Sequence, residues 1–310
     1  MSKPPRFYRS IDGILLLDKA LGVSSNAALQ QARALFNAAK AGHAGSLDPL
    51  ASGLLPVCFG QATKVCGRLL NSGKTYRVLV QLGARTESGD GETEVTERAA
   101  VPPLDDATVD AALATFLGEQ AQVPPMHSAL KFEGKRLYEL ARRGESVERE
   151  PRRIFIHRIA RVRLMGDELE FDVYCSKGTY IRTLAADIAN RLGTLGYVRG
   201  LRRLSLDPFG ELPMHTLQQL AERPAAARDA LLLQSDLVFL ELPRVELGAA
   251  AVEGLLLGRT VAAPHSGAAG ELRAYDGQGR FLGIVLGAGE GRVRPVRLFV
   301  DVEGGARAQS

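Results

Sequence analysis

Two stretches of this 310-residue chain carry apolar residues at every second position, and that pattern narrows the fold most. In TYRVLVQLG the residues Tyr76, Val78, Val80 and Leu82 share one side; in ELEFDVYC so do Leu169, Phe171, Val173 and Cys175. Successive strand side chains point to opposite faces, so each stretch reads as a strand with one face on a core. The other face meets water, and the apolar face needs a covering layer.

Helical patterns supply that layer. SSNAALQQARALFNAAK reads as a helix capped by Ser24 or Ser25, with Leu29, Ala32, Phe36 and Ala39 on one face and Gly42 as its end. Asp105 or Asp106 starts a second, through Val109, Leu113 and Phe116 to Gly118. After the break at Pro124–Pro125, a basic segment from Lys135 to Arg143 is helix-like. YIRTLAADIANRLG turns Ile181, Leu184, Ile188 and Leu192 inward. GILLLDK and ARVRLM read as further strands. Helices interleaved with hairpins, without regular βαβ alternation, indicate an α+β fold. From Pro243 onward, ELRAYD, FLGIVLG and RVRPVRLF are separated by Gly-rich turns, which reads as a small β-barrel-like unit.

Composition excludes several classes. A hydrophobic fraction of 45% and a charged fraction of 24% are those of a soluble globular protein. No apolar run approaches the ~18 residues that a spanning helix needs, and MSKPPRFYRS lacks a signal-peptide core, so a cytoplasmic protein is expected. Cys58, Cys66 and Cys175 form no metal pattern and read as reduced thiols in core space. The net charge of +4 is unevenly spread: Lys131 to Arg163 holds eleven Lys/Arg against five Asp/Glu. Such a cluster is either a solvated face or a nucleic-acid footprint.

Four constellations could carry chemistry. Asp48 stands in AGHAGSLDPLASG among small and apolar residues, as an Asp-Pro turn or as a nucleophile. KGTYIRT places Tyr180 and Arg182 at a helix start, where Arg182 could ion-pair with a partly buried acid or be a surface cation. Tyr76 of KTYRV is a core aromatic or a stacking platform for a base. LRRL at 201–204 could edge a phosphate site.

Their order along the chain is specific. GHAGSLDPLASG, KTYRV, RTESGD, VPPMHSALKFEGKRLYELARRG, CSKGTYIRT and LRRL occur in series, and the series resembles the bacterial tRNA pseudouridine-55 synthases, the TruB family. The resemblance implies a central, mostly antiparallel sheet with flanking helices over residues 1–243, a PUA domain over 244–303 and a frayed tail at 304–310. It implies isomerisation of uridine 55 in the T-loop of tRNA by base flipping, with no cofactor and no metal, and allows tRNA-folding assistance beside it. Asp48, Tyr76 and Arg182 would be catalytic. His43 would prop the RNA loop open; Tyr180 and Leu201 would line the pocket, and Asp90 matches a family acid. Lys19, Lys64, Lys131, Lys135 and Arg202 complete the expected tRNA-binding set, the insertion at about 124–152 acting as a clamp. The implied enzyme is a monomer with tRNA as partner and no obligatory protein partner. Two departures stand out: Ala20 where the family often has LDKP, and GETEV after Asp90, with no Gly at position 93. A non-catalytic RNA binder would not require Asp48, Tyr76, Tyr180 and Arg182 together. A guide-RNA-dependent synthase fits poorly with the insertion.

Overall fold

The computed structural model describes residues 8–300, except 129, 133, 142 and 264–269; for 131, 135, 136 and 138 it describes the backbone alone. The expected tail at 304–310 lies outside the described residues.

The chain opens with β1 (Gly13–Lys19), α1 (Ser25–Leu35), β2 (Ala41–His43), β3 (Ala51–Phe59) and α2 (Cys66–Leu70). Ser24 caps α1, its hydroxyl accepting from Ala27 N at 3.2 Å. The helix ends sooner than expected. Asn37 adopts φ 49°, a left-handed conformation that Asn tolerates, and Gly42 sits in β2 instead. Ala38 is therefore buried in place of the exposed Ala39.

Next come β4 (Lys74–Leu82), β5 (Ala84–Thr86), β6 (Val95–Arg98), α3 (Asp106–Ala114) and β7 (Gly118–Gln122). The basic segment is not one helix: β8 (Lys131–Phe132) and β9 (Lys135–Arg136) pair around Gly134, and only α4 (Leu137–Ala141) is helical. Gly134 at φ 83° makes the turn that draws Lys135 and Arg136 into the hairpin. The core is completed by β10 (Arg152–Met165), β11 (Glu168–Cys175), α5 (Ile181–Arg191), β12 (Gly196–Leu206), α6 (Leu217–Ala221) and α7 (Ala225–Asp229).

The main sheet has eight strands in the order β1-β3-β12-β4-β11-β10-β7, with β2 added beside β3. All pairings are antiparallel except β3–β12, one strand in from the β1 edge. There Leu201 lies opposite Ala51 and Arg203 opposite Gly53. A Cβ on Gly53 would sit 2.2 Å from Arg203 O, at a φ of 95°, so only glycine lets these strands meet. Tyr76, Val78, Val80, Phe171 and Val173 pack with Leu184, Ile188 and Val109 of the covering helices. Each fully buried large apolar side chain stabilises the fold by roughly 1.5–3 kcal/mol.

The last unit holds β13 (Arg244–Leu247), α8 (Ala249–Leu256), β14 (Val261–Ala262), β15 (Glu271–Asp276), β16 (Phe281–Gly287) and β17 (Arg292–Leu298). Its five strands run β13-β15-β16-β17-β14 as a half-barrel. The sequence pattern missed α8, because AAAVEGLL is apolar on most sides and shows no clear period. Phe239, Phe281 and Phe299 pack this unit onto Leu69 and Val65 in one shared core cluster.

Candidate active site

The turn at Asp48 joins β2 to β3. Ala51 N donates to Asp48 O at 3.0 Å, and Pro49 presets the turn's second position. The segment is pinned from several elements. Ser25, buried on α1, accepts from Leu47 N at 2.7 Å and donates to Leu47 O at 2.9 Å. Gly22 N donates to Pro49 O at 2.8 Å, Leu50 N to Glu92 Oε1 at 3.1 Å, and Arg203 Nη2 to Gly45 O at 3.0 Å. The turn therefore presents Asp48 and holds it.

The carboxylate meets Arg182. Asp48 Oδ2 lies 3.2 Å from Arg182 Nη2; the acid's side chain is 46% exposed and the arginine's 10%. Arg182 projects from the first turn of α5, which Gln122 of β7 fixes in place. Its amide accepts from Tyr180 N at 2.8 Å and donates to Tyr180 O at 3.1 Å. The guanidinium also donates to Ser88 O at 3.0 Å and to His127 O at 2.7 Å, and pairs with Asp90 Oδ2 at 3.3 Å. Asp90 is 1% exposed, and its other oxygen accepts from Ser88 Oγ at 2.5 Å and from Glu92 N at 3.1 Å. This corrects its expected role as an RNA contact: Asp90 is a buried counter-charge that positions Arg182. Removing one member of such a pair strands the other charge, at about 3–5 kcal/mol.

A cleft of about 1090 Å³ opens over this pair. Its floor comes from neighbouring strands: Ala51 of β3, Leu201 of β12 and Tyr76 of β4. Tyr180, Ile181, Glu87, Glu92, His127 and Ser128 line the cleft further. Tyr76 is 8% exposed, and burial pushes its phenol above the usual 10 while the positive charge of the nearby Arg203 opposes the shift. It remains a protonated hydroxyl at neutral pH.

The two arginines of LRRL part company because adjacent strand residues face opposite ways. Arg203, 1% exposed, turns inward and donates to Leu54 O at 2.6 Å. Arg202 turns to the other face and pairs with both oxygens of Asp18, at 2.9 and 2.7 Å. It is thus committed to β1 and lies outside the cleft lining, contrary to its expected phosphate role.

Other expected contacts are placed as follows. Lys19 is fully buried, donating to Ala20 O at 3.0 Å and Val23 O at 2.5 Å, so it ties a turn and cannot reach RNA. Burial lowers its pKa, while Asp48 acts in the opposite sense. Lys64 donates to Leu298 O at 2.6 Å and lies 5.9 Å from the Phe299 ring centre, joining the C-terminal unit rather than facing the cleft. His43 is half-buried on β2, away from the cleft lining, with burial and then Arg203 lowering its pKa. The backbones of Lys131 and Lys135 lie in the β8–β9 hairpin; their side chains are outside the description.

Sequence reasoning did not single out Ser25 as a loop clamp, nor Gln122, Glu92, His127 or Ser128. Most of these act through backbone groups or across long separations, which leaves no local pattern.

The comparisons agree with this geometry. Residues 33–181 match the family described as TruB family pseudouridylate synthase (N terminal domain). Residues 182–238 match the tRNA pseudouridylate synthase B C-terminal domain, and 243–299 the pseudouridine synthase II TruB C-terminal family. The tRNA pseudouridine synthase B of Chromohalobacter salexigens is 49% identical over 291 residues, 93% of this chain and 94% of that one. Its counterpart from Methylobacillus flagellatus is 48% identical over 294 residues, covering 95% and 97%. Among solved structures, a chain in the crystal structure of a Cbf5-Nop10-Gar1 complex shares the fold, with a TM-score of 0.70 at 23% identity over 93% of this chain and 85% of that one. A pinned carboxylate, its arginine and identity near one half along almost the whole length converge: the chain belongs to the TruB family of pseudouridylate synthases.

Proposed function

We propose that the protein isomerises uridine 55 in the T-loop of tRNA to pseudouridine, with Asp48 as the essential group. The observation that carries this reading is the Asp48–Arg182 pair at 3.2 Å, set in a cleft floored by Tyr76 and Leu201. The substrate follows from relatives named tRNA pseudouridine synthase B.

The reaction breaks C1′–N1, turns the uracil while it is held, and joins C1′ to C5. C5 loses its hydrogen as a proton and N1 gains one. Atoms and electrons balance without an oxidant or a leaving group. A carboxylate can begin this by attack at C1′, by attack at C6, or by taking a sugar proton on a glycal route; each needs a group where Asp48 stands. The target base must leave its stack and enter the protein. Tyr76 and Tyr180 would hold the flipped ring, and the small residues around Asp48 leave room for it.

The insertion at about 124–152, with Lys131 and Lys135, would grip loop phosphates, and His43 would fill the space the base vacates. The unit at 244–303 would act as a PUA-like contact to the acceptor-stem side. Among the described residues no helix is long and apolar enough to cross a membrane. We place the enzyme with its tRNA in the cytoplasm, as a monomer with no obligatory protein partner.

The test uses a tRNA transcript tritiated at C5 of its uridines. The wild-type protein should release label to solvent, and a transcript with cytidine at position 55 should release none. Asp48→Asn should abolish release while binding tRNA within about threefold of wild type, since the amide keeps size but not nucleophilicity. Full activity in that variant would remove Asp48 from the mechanism.

A further inference from the structure

Two polar atoms on the cleft wall are buried and have no hydrogen-bond partner among the described residues: Oγ of Ser128 and Nε2 of His127. Ser128 is only 5% exposed. A buried hydroxyl left unpaired costs roughly 1–3 kcal/mol, so such groups nearly always have a partner in the working state.

Neighbouring bonds hold the pair in place. His127 O accepts from Arg182 Nη2 at 2.7 Å, and Ser128 N donates to Met126 O at 2.8 Å. The turn is laid across the same guanidinium that meets Asp48. Glu87 Oε1 stands 3.9 Å from His127 Nε2, too far for a direct hydrogen bond and close enough for one oxygen to reach both.

The surroundings decide what that group is. Glu87, Glu92 and Asp48 line this part of the cleft, and Arg182 there already serves Asp48, Asp90, Ser88 O and His127 O. A phosphate brings only acceptors and negative charge, and three carboxyl groups oppose it. An apolar group would leave Ser128 unpaired. A hydroxyl can accept from Ser128 and donate to His127 or Glu87. Within an RNA chain, the single oxygen that both accepts and donates is a ribose 2′-hydroxyl; base edges accept and donate through separate atoms.

We propose that Ser128, with His127, binds a 2′-hydroxyl of one loop nucleotide and is a point at which the protein distinguishes RNA from DNA. The inference rests on the reading that the cleft takes RNA.

The experiment measures kcat/KM on a T-arm hairpin and on a series in which each loop ribose in turn is 2′-deoxy. Wild type should lose roughly tenfold at one position, the scale of one good hydrogen bond. Ser128→Ala should lose about the same on the unsubstituted hairpin, yet less than twofold more on the deoxy hairpin. Ser128→Thr, which keeps the hydroxyl, should restore the discrimination, and His127→Phe should weaken it. A purely structural serine would lower all rates alike. If the losses from Ser128→Ala and from every deoxy substitution multiply independently, the inference is overturned. If wild type is inactive on the unsubstituted hairpin and on full-length tRNA, the RNA reading of the cleft falls, and the inference with it.

Discussion

The Asp48 cleft and the seam beneath the C-terminal half-barrel use the same residue types to opposite ends. In the seam, Lys64 and Arg68 lie 5.9 and 4.9 Å from the ring centres of Phe299 and Phe239. Arg297 donates to Lys64 O at 2.7 Å, and Arg68 pairs with Glu241. These cations and rings are turned on one another and glue two units together. In the cleft, one guanidinium is shared between a deeply buried acid and a half-exposed one, while the tyrosines border open space. Cations beside aromatics therefore mark a ligand site only where their faces remain free.

The sharpest way to break this comparison is at Arg182. Arg182→Met should cut activity a hundredfold or more and destabilise the fold by about 3–5 kcal/mol, because Asp90 is left buried without its counter-charge. Adding Asp90→Asn should return much of the stability and little of the activity. Denaturant melts and single-turnover rates check both; equal stability of single and double variants would show that Asp90 is not the coupled partner.

The seam should respond the other way. Phe299, 7% exposed against Phe239 and Phe281, should cost about 3–5 kcal/mol on replacement by alanine, with kcat on folded protein within a few-fold. A collapse of kcat at unchanged stability would mean that the seam belongs to the catalytic machinery. Lys64→Gln should lower stability by about 1 kcal/mol or more, since it removes the bond to Leu298 O and the contact with the Phe299 ring. It should leave the salt dependence of tRNA binding unchanged; a slope reduced by about one would restore Lys64 as a phosphate contact.

Lys74, 8% exposed near Arg203, offers an effect confined to alkaline pH. Burial, chiefly, with Arg203 and Lys177 adding to it, lowers its pKa to about 8. Between pH 8 and its unfolded value of 10.5, the unfolded chain binds more protons at this position. Its contribution to stability is therefore present above that window and lost as pH falls through about 8. Unfolding midpoints at pH 8 and 9.5 should rise by at most about 1.4 kcal/mol per pH unit more in wild type than in Lys74→Met. Identical pH responses would rule the effect out.

Much of this was legible in the chain. Period-2 runs placed Tyr76, Val78, Phe171 and Val173 on the core face, and the helix at Ile181 carried its buried stripe as expected. The motif order pointed to Asp48, Tyr76, Tyr180 and Arg182, which the fold brings to one cleft. The expected RNA contacts that the fold engages internally are Asp90 and three cations. Lys19, Lys64 and Arg202 read as RNA contacts, and each is engaged by backbone or acid inside the protein.

What residue order determined by itself was most of the strands and helices of the main sheet and their apolar faces, because those follow from local spacing; the choice of Asp48 as the proposed reactive acid came from the resemblance that the motif order carries. The tertiary structure alone decided which charges face out. The parallel meeting of β3 and β12 sends Arg203 inward and Arg202 to Asp18, while the folding of distant segments onto Arg182 unites Asp48, Asp90 and His127. A side chain's charge is written in the sequence; its partner, and so its availability to a ligand, depends on neighbours tens to hundreds of residues away.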